Sequence, residues 1–315
     1  MKKGLVIKST GSWYTVKTED NEIINCRIKG KFRLKDIKTT NPVTVGDSVQ
    51  LEIEEDGNGI IAEIDPRKNY IIRKSVNLSK KAHIIASNID LAFLVITINY
   101  PQTYTNFIDR FLVSAEAYHI PTTLIFNKID LYNQKDLEEM NKLVAIYSNI
   151  GYKCIKTSAE KNINIDLVKN EMKNKTSVFS GNSGVGKSTL INLIDSRLNI
   201  KTSDISDSHN QGRHTTTFAE MHELTFGGHI IDTPGIKGLG IVDIEKEEIH
   251  HYFPEMRKLM NNCKFNNCVH INEPKCAVKD AFEKGEISES RYENYLNLYH
   301  GDDVSGFRES LYAPK

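Results

Sequence analysis

The chain has no charge of either sign in excess: Lys and Arg number 41 among its 315 residues, and so do Asp and Glu. Whole-chain charge therefore gives no reason to expect indiscriminate binding to nucleic acid or to an anionic membrane, and any RNA contact must come from local patches. Long apolar runs are also missing. Met1 to Lys8 offers only Leu5, Val6 and Ile7 after its lysines, too little for the apolar part of a secretory signal. The most apolar segment, Leu91 to Ile98, falls far short of the roughly 20 residues that span a bilayer. A cytoplasmic protein without membrane contact is expected. Cysteine is scarce and odd in number, five in all, and three of them crowd between Cys263 and Cys276. That pattern suits a metal site in a reducing compartment better than a disulfide framework. Cys26 and Cys154 lie in apolar, strand-like surroundings and are expected in the core. Internal repeats and low-complexity tracts are absent.

What is present divides into a multidomain chain, as its length allows. Short β-rich runs fill the start: Leu5 to Lys8, Trp13 to Lys17, Ile23 to Ile28, Ser48 to Ile53 and Ile60 to Ile64, separated by Gly-, Asn- and Asp-rich turns. Five strands with one long basic insertion predict a small β-barrel of the OB-fold kind. Arg27, Lys29, Lys31, Arg33, Lys35 and Lys38 line that insertion and its lead-in. With Trp13 and Tyr14 close in sequence they have the composition of a phosphate-tracking groove with a stacking platform. From about Ser87, strands alternate with helical stretches, the signature of a parallel α/β sheet. After Gly240 a third region holds the cysteine cluster and a Tyr-rich helix, Ser288 to Tyr299. The expected domains are a barrel over 1–68, an α/β domain over 69–238 and a mostly helical metal-binding domain over 239–315.

The stretch Gly181-Asn182-Ser183-Gly184-Val185-Gly186-Lys187-Ser188, followed by Thr189, fits a P-loop, placed between an expected strand and helix. Its glycines let backbone N–H groups curl around phosphates, Lys187 is expected on the β- and γ-phosphates, and Ser188 on Mg²⁺. The choice of base comes from Asn127-Lys128-Ile129-Asp130 after an apolar strand. A carboxylate at Asp130 can accept from both the ring N–H and the amino group of guanine, whereas adenine offers no such pair. Asn127 would bridge base and phosphate loop, and the Lys128 stem would cover the ring. Ser158 and Ala159, at the end of the next strand, fit the loop whose amide meets the guanine carbonyl. Asp232-Thr233-Pro234-Gly235 supplies an Asp for Mg²⁺ and a Gly whose amide senses the γ-phosphate. Between these motifs lies His214-Thr215-Thr216-Thr217. One of its threonines is expected on Mg²⁺; the sequence does not decide which, and Thr216 is chosen. Small GTPases carry a water-orienting Gln after D-x-x-G, but Ile236 stands there, so intrinsic hydrolysis should be slow and His214 is the candidate to orient the water.

The order of these motifs is unusual: N-K-x-D and the Ser-Ala loop precede the P-loop, so the α/β domain is a circularly permuted GTPase. The permutation puts Asp232 to Gly235 directly before the third domain, where nucleotide state could pull on it. In this combination the chain resembles the bacterial ribosome small-subunit-dependent GTPases, the RsgA or YjeQ family. The resemblance spans nearly the whole chain. It implies GTP hydrolysis stimulated by the small (30S) ribosomal subunit, a role in that subunit's late maturation, and contact with its rRNA. GTP and GDP are then the ligands, with a monomer expected. A GTP-dependent switch that binds proteins without an RNA partner, and a permuted GTPase of the large subunit, are the competing readings.

Cys263, Cys268, His270 and Cys276 form a Cys₃His set suited to one tetrahedral, structural Zn²⁺, and they match the family's zinc pattern. The single residue between Cys268 and His270 requires an irregular loop. Arg291, Tyr292, Tyr295 and Tyr299 on the last helix either dock on rRNA or protein or pack that helix onto its own domain.

Overall fold

A computed structural model describes residues 1–28, 42–73, 83–200, 219–232 and 244–301. The basic insertion from Lys29 to Lys38, the segment with Arg213, His214 and Thr215 to Thr217, and Thr233 to Ile236 with Gly235 lie outside the described residues.

The barrel is built from β1 (Lys2–Ser9), β2 (Tyr14–Thr18), β3 (Ile23–Ile28), β4 (Ser48–Ile53) and β5 (Gly59–Ile64). The pairing order is β1-β2-β3-β5-β4, and β4 closes back on β1. Alternation does the sorting: in β2 Tyr14, Val16 and Thr18 face inward while Thr15 and Lys17 are half-exposed. Val6, Tyr14, Val16, Cys26, Val49, Leu51 and Ile61 fill the interior. Trp13 falls in the turn before β2 rather than within it, and stays outside the core.

A hairpin absent from the sequence reading follows, β6 (Tyr70–Arg73) with β7 (His83–Ser87). Its junction with the barrel is organised by the fully buried Asp47. That carboxylate accepts from Arg67 Nε and Nη2, both at 2.6 Å, from Ser87 Oγ at 2.6 Å and from the Thr44 amide at 2.8 Å.

The α/β domain comprises β8 (Leu91–Ile96), α1 (Thr105–Ala117), β9 (Thr122–Phe126), α2 (Gln134–Asn149), β10 (Lys153–Lys156), α3 (Ile165–Met172), β11 (Thr176–Ser180), α4 (Lys187–Ile194), β12 (Glu220–Glu223) and β13 (His229–Asp232). The strands run in the order β10-β9-β8-β11-β13-β12, parallel except for β12. Every residue of β8 is buried, the mark of a central strand covered on both faces. At the edge, by contrast, Cys154 of β10 is only half-buried, so it is not the core residue expected of it. Sheet and barrel are continuous: Lys8 of β1 pairs with Glu220 of β12, and their side chains meet at 3.0 Å.

The last region holds a 3₁₀ turn over Lys246–Tyr252, then α5 (Pro254–Leu259), α6 (Ala277–Glu283) and α7 (Glu289–His300). Its core of Ile249, Phe253, Met256, Val278, Tyr292 and Tyr295 also takes in Val113 of α1, so it packs on the α/β domain. Tyr292 and Tyr295 pack rather than dock, and Arg291 is fully buried, which removes it from any RNA-facing role. None of the described helices is long and apolar enough to cross a membrane.

Candidate functional site

β11 and β13 are parallel neighbours, with Val178 opposite Ile231, so the P-loop and Asp232 leave the sheet at the same edge. β9 and β10 end there too, delivering Asn127 and Thr157. Ligands of open parallel sheets gather at this carboxyl edge.

Two glycines of the loop are fixed by space as well as by backbone angle. Gly181 has φ +142 and a Cβ there would lie 2.5 Å from the Val95 carbonyl oxygen; Gly186 has φ +94 and a Cβ would lie 2.5 Å from Asn127 Nδ2. Val185 between them is buried in the core and pins the loop to the sheet. Ser188 and Thr189 are half-buried at the start of α4, while Ser183 is exposed at the tip of the loop. Lys187 folds across the loop, its Nζ donating to the carbonyls of Gly181 at 2.7 Å and Asn182 at 2.6 Å. Backbone N–H groups and the N-terminal end of α4 thus converge with an ammonium, the arrangement that holds a polyphosphate.

Asn127, completely buried, joins three motifs through one side chain. Its Nδ2 donates to the Val185 carbonyl at 2.9 Å, while its Oδ1 accepts from Thr157 Oγ1 at 3.0 Å and from the Ala159 amide at 3.2 Å. Ser158 Oγ donates to the Asp130 carboxylate and accepts from the Lys161 amide at 3.0 Å. Lys128 takes left-handed backbone (φ 65), and burial lowers the pKa of its ammonium. Its Nζ donates to the Tyr100 carbonyl at 2.6 Å. The loop from Thr97 to Tyr104 is thereby a wall of the site that no sequence motif marks.

Burial raises the Asp232 carboxyl, His222 offsets this in part, and Glu220 adds to it. A half-buried carboxylate in that environment, on the same edge as Ser188, suits a divalent cation, so these two residues fit Mg²⁺. The remaining expected ligands, Thr216 and Gly235, and the candidate His214, lie outside the described residues.

In the helical region the ligand atoms of Cys263, Cys268, His270 and Cys276 all lie within 4.8 Å of one another. Cys263 Sγ and Cys276 Sγ are 3.9 Å apart, close to the roughly 3.8 Å between sulfurs on a tetrahedral Zn²⁺. His270 turns Nδ1 inward, 3.6 Å from Cys263 Sγ and 3.3 Å from Cys276 Sγ. The loop is irregular as the short spacing demands: His270 has φ +62. Glu273 holds it by accepting from the amides of Val269, Ile271 and Asn272 at 2.8, 3.0 and 3.1 Å. Tyr292 donates to the His270 carbonyl at 2.7 Å, and Tyr295 to that of Val269. Burial pushes the Cys268 thiol up to about 12 and raises Cys276. Only a cation among them would hold such buried sulfurs as thiolates, so the donor set fits one structural Zn²⁺.

Comparison with known proteins agrees with this architecture. Residues 64–242 match the family model described as RsgA GTPase, and residues 3–61 match the RsgA N-terminal domain. A protein of Flavobacterium psychrophilum named small ribosomal subunit biogenesis GTPase RsgA is 59% identical over 312 residues, 98% of this chain and 95% of that protein. One of Bacteroides thetaiotaomicron, named small ribosomal subunit biogenesis GTPase RsgA 2, is 55% identical over 306 residues, 97% of this chain and 99% of that one. Among solved structures, YjeQ from Thermotoga maritima is 38% identical with a TM-score of 0.77, covering 95% of this chain and 98% of that one. YloQ, described as a circularly permuted GTPase, is 34% identical with a TM-score of 0.75, covering 96% and 94%.

Proposed function

This chain belongs to the RsgA GTPase family, and from that premise we propose that it hydrolyses GTP on the small ribosomal subunit during that subunit's late maturation. The observation that carries the guanine-nucleotide assignment is the Asn127 side chain, which ties the P-loop, the N-K-x-D strand end and the Ser158–Ala159 loop into one pocket.

In this reading the amides of Gly181 to Thr189 cradle the phosphates. Lys187 exchanges its bonds to Gly181 and Asn182 for the β- and γ-phosphate oxygens. Asp130 accepts from the two guanine donors, the Ala159 amide meets the guanine carbonyl, and the Lys128 stem covers the ring. Ser188, Thr216 and Asp232 would hold Mg²⁺, which when bound neutralises charge on the phosphates. Gly235 offers its amide to the γ-phosphate. On the subunit His214 orients the attacking water, because Ile236 cannot. Zn²⁺ on Cys263, Cys268, His270 and Cys276 has a structural part only, since four protein ligands leave no open position.

The partner is read from the barrel as well as from the named relatives. Trp13 is 41% exposed, and the Arg27 guanidinium lies over its ring at 5.0 Å. A half-open indole beside a cation, at the start of the basic segment Arg27 to Lys38, suits stacking on unpaired rRNA bases. The domain limits 1–68, 69–238 and 239–315, a cytoplasmic location and a monomeric state belong to the same proposal.

The test is GTP turnover by the protein alone, with purified small subunits and with purified large subunits. Stimulation by small subunits only is expected. Stimulation by neither would replace the ribosomal reading with a protein-directed switch. Full stimulated turnover by H214A at unchanged GTP affinity would remove His214 from the mechanism.

A further inference from the structure

Tyr100 holds a backbone angle that tyrosine rarely adopts. Its φ is +60, in the left-handed region where Cβ crowds the backbone and where Asn, rather than a large aromatic residue, is the tolerated side chain. The ring gains no burial in return, being 70% exposed. What the twist accomplishes lies in the main chain: the Tyr100 carbonyl meets Lys128 Nζ at 2.6 Å.

The surroundings fix this arrangement from several sides. The Thr97 amide donates to Thr103 Oγ1 at 3.2 Å and the Thr103 amide to the Thr97 carbonyl at 2.9 Å, closing the loop on itself. Below it, Tyr132 OH accepts from the Ile98 amide at 2.8 Å and donates to the Asn127 carbonyl at 2.7 Å. Asn99 Nδ2 donates to Asp136, a residue of the α2 capping box. Pro101 lies against the P-loop, so close that a Cβ on Gly184 would touch its Cδ at 3.4 Å. Strained backbone persists only where neighbours over-determine it, and it gathers at ligand sites.

We propose that Tyr100 is a positioning residue for guanine: its left-handed main chain presents a fixed carbonyl to the Lys128 ammonium, stretching the lysine stem across the base site before nucleotide arrives. The inference rests on reading Asn127 to Asp130 as the guanine site. A free lysine chain would lose the freedom of several rotatable bonds on covering the base, and holding it beforehand moves that cost out of the binding step. The consequence is slower nucleotide release.

The experiment measures release of a fluorescent N-methylanthraniloyl GDP from the full-length Y100N, Y100V, K128A and Y100V/K128A variants, with unfolding midpoints recorded for each. Asn tolerates left-handed backbone, so Y100N should release GDP as the parent protein does. Val, branched at Cβ, is driven out of that region, so Y100V should release GDP about tenfold faster, as expected for a lost charge-assisted hydrogen bond. In the double variant the Val effect should vanish into that of K128A, because both act through one contact. Equal effects of Asn and Val, or a Val effect that persists without Lys128, would overturn the inference. A K128A protein that released GDP at the parent rate would instead sink the guanine reading on which it stands.

Discussion

Arg291 of α7 and Asp109 of α1, 182 residues apart in sequence, meet at 2.7 Å with both side chains buried. The same guanidinium takes both oxygens of Glu255 on α5, at 2.7 and 3.1 Å, and lies over the Phe253 ring at 4.4 Å. Asp109 is satisfied further by Tyr147 OH at 2.8 Å and Asn294 Nδ2 at 2.6 Å. The helical region with the Cys₃His cluster is therefore fastened to α1, the helix that follows the Tyr100 loop. The permuted order suggested that this region is tied to the nucleotide mainly through the segment after Asp232; the buried network gives it a second attachment on the opposite side of the motif order.

Removing Arg291 should expose how much that attachment contributes. In R291M the carboxylates of Asp109 and Glu255 stay buried without their cation, a loss of about 3–5 kcal/mol. Burial already raises the Asp109 carboxyl against the pull of Arg291, and deleting the arginine raises it further. A carboxyl whose folded pKa lies above its unfolded value loses stability as pH rises through that folded pKa. The variant should therefore recover part of its deficit as pH falls from 8 toward 5 (about the range left open above the unfolded value near 4). Denaturant unfolding of the zinc-loaded protein across that range checks this; a pH-independent deficit would mean that Asp109 is not the group left exposed to the loss.

Asp195 predicts the opposite slope. It accepts from Arg197 Nε at 3.0 Å and Nη2 at 2.8 Å, from the Arg197 amide at 3.1 Å and from the Thr225 amide at 3.0 Å. The Arg197 hydrogen bonds first, and then the backbone amides, hold its carboxyl well below the usual carboxylate range. A depressed pKa contributes stability that is complete above the unfolded value, near 4, and is lost as pH falls below it. D195N should be less stable than the parent at pH 7, with the gap narrowing below about pH 4. Thermal melts at pH 7, 4 and 3 test it.

How far the sequence carried is best judged from these residues. The glycine-rich loop, the N-K-x-D motif and the Cys₃His cluster are local patterns of characteristic spacing, so Gly181 to Ser188, Asn127 to Asp130 and Cys263 to Cys276 stand out as candidates in the sequence itself, as do most strands through their alternation. Arg291 could not: on a charged, Tyr-rich helix it looks like surface, and only the fold brings Asp109 and Glu255 around it. Tyr100 was invisible for a different reason. Left-handed backbone is normally announced by Gly or Asn, and here tertiary contacts impose it on an aromatic residue. The β6–β7 hairpin escaped because its two short apolar runs are separated by a long connection without a turn signal.

Zinc removal should act locally before it acts globally. Cys268, His270 and Cys276 are all buried, and Cys276 Sγ also caps α6 by accepting from the Lys279 amide at 3.5 Å. Without the cation the thiols hold their protons, so metal binding near pH 7 should release close to one proton per thiolate formed. Chelation, or C276S, should loosen residues 263–283 and leave the barrel protected, as read by hydrogen exchange. Uniform exchange protection after stoichiometric zinc loss would show that the loop, with Glu273 on its amides, stands without metal.

Asp130 offers the sharpest test of the base assignment, because the prediction is a change of preference rather than a loss. Its carboxylate can only accept, which matches the ring N–H and the amino group of guanine. Asn at the same position keeps one acceptor and supplies an N–H₂ donor, and that donor matches a base bearing a carbonyl where guanine has its amino group, as xanthine does. D130N should therefore lose roughly 2–4 kcal/mol of affinity for GDP, since one of two charge-assisted bonds is replaced by a donor facing a donor. Affinity for XDP should rise over that of the parent protein by a comparable factor. Ser158, which donates to Asp130, can still donate to the Asn oxygen, so the loop it organises should survive the exchange. Competition titrations of labelled GDP with unlabelled GDP, XDP and ADP give all three preferences at once. A D130N protein that weakened toward GDP without gaining XDP would leave Asp130 as a loop-forming residue, bound to Ser158 and the fold rather than to the base.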